Sequence, residues 1–316
     1  MKVLVTGAAG QIGSELISAL RERYGNQNVV ASDINREAGE KLGISGPFEY
    51  GDCTQYDVMK RIIQNHGIKT IYHLAAILSA VAENNPQLAW NVNINGLYIM
   101  LELSREFNCS LFTPSSIGAF GPSTPRDRTP QDTIQRPTSM YGVTKVSGEL
   151  LCDYYFQKYN VDTRGVRYPG IISNVTLPGG GTTDYAVEIY YEAIKEKKYT
   201  CFLKEDSYLD MMYMPDALNA AIILMETDPK MLKHRNAFNV SAMSFAPKDI
   251  AQEIKKHIPE FVMDYYIDPI RQSIADSWPK SMDDSAAREE WGWKPFYDLE
   301  KMTQDMIRVL TERFQS

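Results

Sequence analysis

The chain opens on the feature that most constrains its fold. Lys2–Thr6 is a short apolar, β-branched run that passes directly into Gly7-Ala8-Ala9-Gly10-Gln11-Ile12-Gly13. A strand ending in G-x-x-G-x-x-G and followed by an amphipathic stretch, Ile12–Tyr24, reads as the start of a dinucleotide-binding βαβ unit. Gly7 makes the tight turn, Gly10 lets the backbone approach a pyrophosphate, and Gly13 lets the helix lie close on the sheet. The N–H groups at Gln11 and Ile12 then meet the phosphates at the positive end of the helix. A glycine-rich turn alone is weak evidence and can be a plain tight turn; its setting between strand and helix, with Asp33 beyond it, favours the cofactor. Asp33 ends the second run 20 positions after Gly13 (33 − 13). A carboxylate there accepts from ribose hydroxyls and repels a 2′-phosphate, which selects NAD over NADP.

The same alternation continues for two-thirds of the chain. Further strands are expected at Val29–Ser32, Thr70–Leu74, Ser110–Pro114 and Val161–Tyr168, and helices at Gln55–Asn65, Pro86–Phe107 and Thr138–Tyr159. Strands alternating with helices imply an α/β fold with a doubly wound parallel sheet, which binds ligands at the carboxyl ends of its strands. Past residue 170 the alternation fades. Pro178-Gly179-Gly180-Gly181 reads as a loop, Asp184–Lys195 as a helix, with more helices at Pro215–Met225, Pro247–His257 and Leu299–Glu312. The expected organisation is a nucleotide-binding domain over residues 1–170 and a smaller substrate lobe over 171–316, with elements possible that return to the sheet.

Two segments fall at the cofactor edge. Asp52 and Cys53 follow the third strand, where a carboxylate can reach an adenine amino group. Leu74, Ala75 and Ala76 follow His73 and are small enough for a backbone to pass close to the cofactor; simple core packing explains either segment equally. Tyr141-Gly142-Val143-Thr144-Lys145 places a phenol and an ammonium four apart on one helical face. A phenol titrates near ~10 in water, and a neighbouring cation favours its ionised form. Ser116 follows the fifth strand and offers a hydroxyl to a substrate oxygen. A bare Y-x-x-x-K is common on protein surfaces; the order of these pieces along the sheet is what argues for proton transfer.

The remaining composition narrows the class. A net charge of −7, without a Lys/Arg block, argues against a nucleic-acid partner. No apolar run reaches the ~20 residues of a membrane helix, and the short N-terminal run lacks the pattern of a signal peptide, so a cytoplasmic protein is expected. The four cysteines (Cys53, Cys109, Cys152, Cys201) form no C-x-x-C pair and read as reduced thiols. No His/Cys/carboxylate group has metal-ligand spacing, so no metal is expected.

The glycine loop, Asp33, Asp52, His73–Ala76, Asn93, Ser116 and Tyr141/Lys145 together resemble the extended short-chain dehydrogenase/reductase family, across essentially the whole chain. The resemblance implies a catalytic Ser116, Tyr141 and Lys145, a structural Asn93 that helps hold a water near the lysine, and cofactor contacts that include Tyr168. In Ser115-Ser116-Ile117-Gly118-Ala119-Phe120-Gly121, Phe120 stands where the family usually has tyrosine. Further segments are similar to the L-threonine 3-dehydrogenase branch: Leu74–Ala80, Arg167–Ser173, Gly181–Glu188, Met211–Ala217 and Ser277–Pro279. That likeness implies oxidation of L-threonine at C3 by NAD to 2-amino-3-oxobutanoate, with Ser79, Ser116, Tyr141, Thr183, Asp184 and Trp278 as substrate contacts. Thr183 and Asp184 read equally well as a helix cap, and Trp278 as a core residue. Family members commonly pair through helices such as Pro86–Phe107 and Thr138–Tyr159, so a homodimer is expected. A nucleotide-sugar epimerase or dehydratase is the alternative, and a non-catalytic dinucleotide sensor a more distant one.

Overall fold

A computed structural model describes residues 1–175 and 181–315. The expected loop at Pro178–Gly180 lies outside the described residues. The chain divides into two compact units: Met1–Ala119, Pro137–Arg167 and Leu218–Phe238 make the first, and Phe120–Arg136, Tyr168–Ala217 and Asn239–Ser316 the second. The division is not a single cut near residue 170. The segments 120–136 and 218–238 each belong to the unit opposite to the one that chain order suggests.

The first unit holds a six-stranded parallel sheet. Val3–Thr6 lies at its centre, flanked on one side by Val29–Asp33 and Phe48–Tyr50 and on the other by Thr70–His73, Ser110–Phe112 and Thr163–Arg164. Val3 pairs with both Val29 and Thr70, so the strand order reverses beside the first strand, where a doubly wound sheet opens its ligand crevice. The sheet is sealed by Leu4, Val30 and Ile71 packed with Ile62, Leu97, Met100 and Cys152 from the helices.

Three expected elements differ from the observed ones. The fifth strand stops at Phe112 rather than Pro114, because proline has no N–H for the ladder. Val161–Tyr168 is two strands, Thr163–Arg164 and Val166–Tyr168, broken at Gly165, where a Cβ would come within 2.4 Å of the Thr113 carbonyl oxygen. Pro86–Phe107 is interrupted by a π turn at Asn91–Gly96, which re-aims side chains within a helix. A helix that the sequence did not suggest, Arg36–Gly43, is capped by Asn35, whose side chain accepts from Ala38 N–H.

The second unit has its own core. Tyr185, Tyr190, Tyr213, Phe245, Ile250, Phe261, Met302, Met306 and Leu310 are buried together. Gly170–Ile172, Leu209–Tyr213 and Met243–Phe245 form a small sheet, and Lys198–Cys201 pairs with Val262–Tyr265. The helices Tyr185–Lys195, Pro247–His257 and Leu299–Gln315 cover it.

Candidate active site

At the head of the first strand, Gly7 has φ 69°. A Cβ there would stand 2.6 Å from Ala75 N, so only glycine lets the first and fourth strands pass this closely. Gly10 N–H donates to the Gly7 carbonyl and Gly10 caps the helix Gln11–Tyr24 with no side chain on its leading N–H groups. Those donors face outward at a positive helix end, which suits a pyrophosphate. Gly13 packs against the Gly7 carbonyl, where a Cβ would lie at 2.2 Å.

The acidic residues have structural duties as well. Asp33 Oδ2 accepts from Ala9 N–H and its Oδ1 from Asn35 N–H, both at 2.9 Å. It therefore braces the glycine loop from the end of the second strand. Asp52 Oδ1 accepts from the N–H and hydroxyl of Thr54. Cys53 is buried against Gly96; burial above all, with the Asp52 charge, pushes its thiol up to about 12, so it supplies shape and no reactivity. His73 is buried with Nδ1 hydrogen-bonded to the Thr6 hydroxyl at 2.8 Å. Burial, then the Lys145 charge, pushes it down to about 3, so it is neutral. Leu74, Ala75 and Ala76 lie partly open along the same edge.

The helix Met140–Tyr159 starts at Ser139, whose hydroxyl accepts from Gly142 N–H at 3.1 Å. That cap sets Tyr141 in the first turn and Lys145 one turn on. Lys145 Nζ donates to the Pro114 carbonyl at 2.8 Å and stands 5.3 Å from the centre of the Tyr141 ring. Ser116 Oγ accepts from Gly118 N–H at 3.1 Å. A Cβ at Gly118 would lie 3.1 Å from the Tyr141 ring and 3.5 Å from Ser116 Oγ, so Gly118 is the spacer that brings hydroxyl and phenol together. Gly142 repeats the logic, since its Cβ would clash with the Gly118 carbonyl at 2.2 Å. Sequence reading passed over both glycines, although each sits inside a quoted motif.

The Asn93 side chain is spent on structural contacts. Its amide hydrogens go to the Ile77 carbonyl and the Thr144 hydroxyl, and its Oδ1 accepts from Ile77 N–H at 2.7 Å. Thr144 in turn donates to the Tyr141 carbonyl. Asn93 thus ties the π turn to the helix Met140–Tyr159. Phe120 is buried, and its place in the motif leaves Ser116 where the sequence put it. Ser79 opens the short helix Ser79–Asn84 and is partly exposed.

Within the second unit, Thr183 packs its methyl on Gly170. Asp184 does not cap the helix Tyr185–Lys195 with its side chain; its Oδ2 accepts from Gly181 N–H at 2.6 Å and closes the preceding turn. Trp278 packs half-buried on the core, and its carbonyl accepts from Arg126 Nε. Tyr168 is buried and donates its hydroxyl to the Ala217 carbonyl at 2.5 Å, which leaves its ring and backbone, rather than a free O–H, for any cofactor contact. Among the described residues no His/Cys/Asp/Glu group could hold a metal, and no helix is long and apolar enough to cross a membrane.

The profile of the NAD dependent epimerase/dehydratase family matches residues 3–241. An uncharacterized epimerase/dehydratase of Staphylococcus haemolyticus is 54% identical over 315 residues, covering 100% of this chain and 99% of its own. Among solved structures, L-threonine dehydrogenase from Clostridium difficile is 58% identical with a TM-score of 0.97, over 99% of this chain and 98% of that one. A monomeric L-threonine 3-dehydrogenase from a metagenome is 45% identical with a TM-score of 0.93, over 98% and 99%.

Proposed function

Because the chain belongs to the NAD dependent epimerase/dehydratase family, we propose that it oxidises the 3-hydroxyl of L-threonine with NAD to give 2-amino-3-oxobutanoate. The observation that carries the chemistry is the meeting of Ser116, Tyr141 and Lys145 around Gly118. Ser116 holds the substrate oxygen, and Tyr141 takes its proton. Lys145, pinned by the Pro114 carbonyl, stabilises negative charge on the phenol oxygen. The glycine loop, Asp33, Asp52, Cys53, Leu74–Ala76 and Tyr168 would hold NAD, which would supply the hydride acceptor.

The choice of threonine is supported by the whole-length likeness to L-threonine dehydrogenases, which includes the Gly181–Glu188 run. We assign Ser79, Ser116, Tyr141, Thr183, Asp184 and Trp278 to the amino acid. Thr183 supplies a hydroxyl and Asp184 an anion for the ammonium group. The test is NADH formation with a panel of amino acids, hydroxy acids and UDP-sugars. Turnover of threonine is expected; turnover of a UDP-sugar with none of threonine overturns the assignment.

We further propose a homodimer. Leu88, Tyr98, Leu150 and Tyr154 are exposed apolar side chains on the helices Pro86–Trp90, Leu97–Phe107 and Met140–Tyr159, the helices expected to pair. Light scattering decides between this dimer and the monomeric state given for the metagenome relative.

A further inference from the structure

Beside Lys145 the first unit holds a partly open cavity of about 30 Å³, which Leu74, Ala75 and Ala76 of the proposed cofactor edge also line. His73, Ser115, Lys145, Glu149, Cys152 and Asn236 are among its walls. Two of these residues carry a buried polar atom with no partner among the described residues, His73 Nε2 and Asn236 Oδ1. Each orphan is the leftover of a side chain otherwise fully used. His73 Nδ1 is bonded to the Thr6 hydroxyl, and the Asn236 amide donates to Asp153 Oδ1 and Thr163 Oγ1. The following residue, Ala237, holds a left-handed backbone at φ 57°, a conformation that costs energy at a residue with a Cβ and persists where its surroundings demand it.

The chemistry of the walls defines the occupant. The water-sized space suits about two waters. A cation would want the Glu149 carboxylate, but Arg167 engages both of its oxygens and Ser115 donates to one of them. Cys152 is a neutral thiol, its titration pushed up by burial. Asn236 Oδ1 needs a donor, and His73 Nε2 needs a donor or an acceptor according to its tautomer. Water meets both demands in either case. Lys145 has three N–H groups and gives one to Pro114.

We propose that this cavity is a hydration site, with about two waters bound among His73 Nε2, Asn236 Oδ1 and the Lys145 ammonium, and that through them His73 and Asn236 are positioning residues for Lys145. The hydration follows from the cavity alone; the positioning role rests on the reading of Lys145 as the partner of Tyr141.

A crystal structure of the unaltered protein, refined with ordered solvent, tests the first part. Water peaks within hydrogen-bonding reach of both orphan atoms are expected, and an empty cavity overturns the proposal whatever the substrate proves to be. The second part is read from the pH profile of kcat/KM, on any substrate the unaltered enzyme oxidises. The charged and titratable groups around the cavity are Lys145, the Glu149–Arg167 pair, His73 and Cys152. His73→Leu should move the acidic limb up by about one pKa unit, a tenfold loss below the limb, with unchanged NAD affinity. His73→Gln, which restores a polar atom, should recover most of it. A His73→Leu profile that matches the unaltered enzyme refutes the positioning role. Should His73→Leu not fold, the solvent structure still decides the site, and His73→Gln still carries the profile: a normal acidic limb is expected, and a shifted limb with the waters retained refutes positioning.

Discussion

The Asp33 carboxylate is hydrogen-bonded to Ala9 N–H, inside the glycine loop, at 2.9 Å. One side chain thus joins the end of the second strand to the glycine turn proposed for the cofactor phosphates, so the proposed cofactor choice is tied to loop geometry at this residue. The unaltered protein should prefer NAD strongly over NADP, and Asp33→Ala should narrow that preference. It should also weaken NAD binding, since a hydrogen bond to a charged acceptor contributes ~1.5–3 kcal/mol. Asp33→Asn keeps an acceptor for Ala9 and should separate the two effects. Equal use of both cofactors by the unaltered enzyme would remove Asp33 from the selective role.

Gly118 is the second residue with a defined mechanical task. A methyl group there would press on the Tyr141 ring at 3.1 Å, and the ring must give by a few tenths of an ångström. Gly118→Ala should therefore lower kcat by up to about tenfold, less than the hundredfold of a full 1 Å misplacement. The NAD dissociation constant should hold steady. A variant with normal kcat would show that the phenol has slack the geometry does not suggest.

Tyr141→Phe removes the proposed acceptor of the substrate proton and leaves the ring in place. Loss of a general base costs about 10²–10⁴-fold in turnover, while NAD titration followed by fluorescence should give near-normal affinity. Persistence of turnover would locate the base elsewhere.

The strand–turn–helix unit of the proposed cofactor site was legible because its signals are local. Glycine spacing, the residue closing the second strand, and a Tyr–Lys pair one turn apart are all short-range patterns tied to backbone geometry. What escaped was set by tertiary contact. Nothing near Asn93 in sequence announces that its amide will be spent on Ile77 and Thr144, and the break at Gly165 depends on a carbonyl of Thr113, more than fifty residues away. Nor does chain order reveal that 218–238 returns to the first unit. Thr183 and Asp184 were open to a capping role, and here too the outcome turned on a contact: the carboxylate bonds to Gly181 N–H rather than to the helix.

Asp210 makes stability depend on pH. It is fully buried on the strand Leu209–Tyr213 and accepts from the Ser241 hydroxyl and Met282 N–H. Burial, reinforced by the Asp284 charge and opposed by those hydrogen bonds, pushes its carboxyl from 3.8 up to about 8. The folded protein then keeps a proton that the unfolded chain gives up near pH 4. The stabilising contribution is complete below that point and declines as pH rises to about 8. Asp210→Asn should flatten this slope in denaturant melts taken between those limits, and an unchanged slope would assign it to other groups.

Thr183 and Asp184 carry the substrate assignment, and their structural bonds dictate which variants are informative. Thr183 packs its methyl on Gly170, so Thr183→Ser removes the methyl and keeps the hydroxyl. It should lower stability by about 0.8 kcal/mol with little kinetic effect. Thr183→Ala removes the hydroxyl as well and should raise KM for threonine or lower kcat, with NAD affinity intact, because an unpaired polar partner in the substrate site costs ~1–3 kcal/mol. Asp184 needs the same care, since its Oδ2 holds Gly181 N–H. Asp184→Ala loses both the turn and the anion, whereas Asp184→Asn retains an acceptor for Gly181 and removes only the charge. If the carboxylate binds the substrate ammonium, Asp184→Asn should lose kcat/KM for threonine while its Tm stays close to that of the unaltered protein. If its whole purpose is the turn, Asp184→Asn should keep both, and only Asp184→Ala should fall in Tm. A pair of variants with reduced Tm and unaltered kcat/KM would take both residues out of the substrate site.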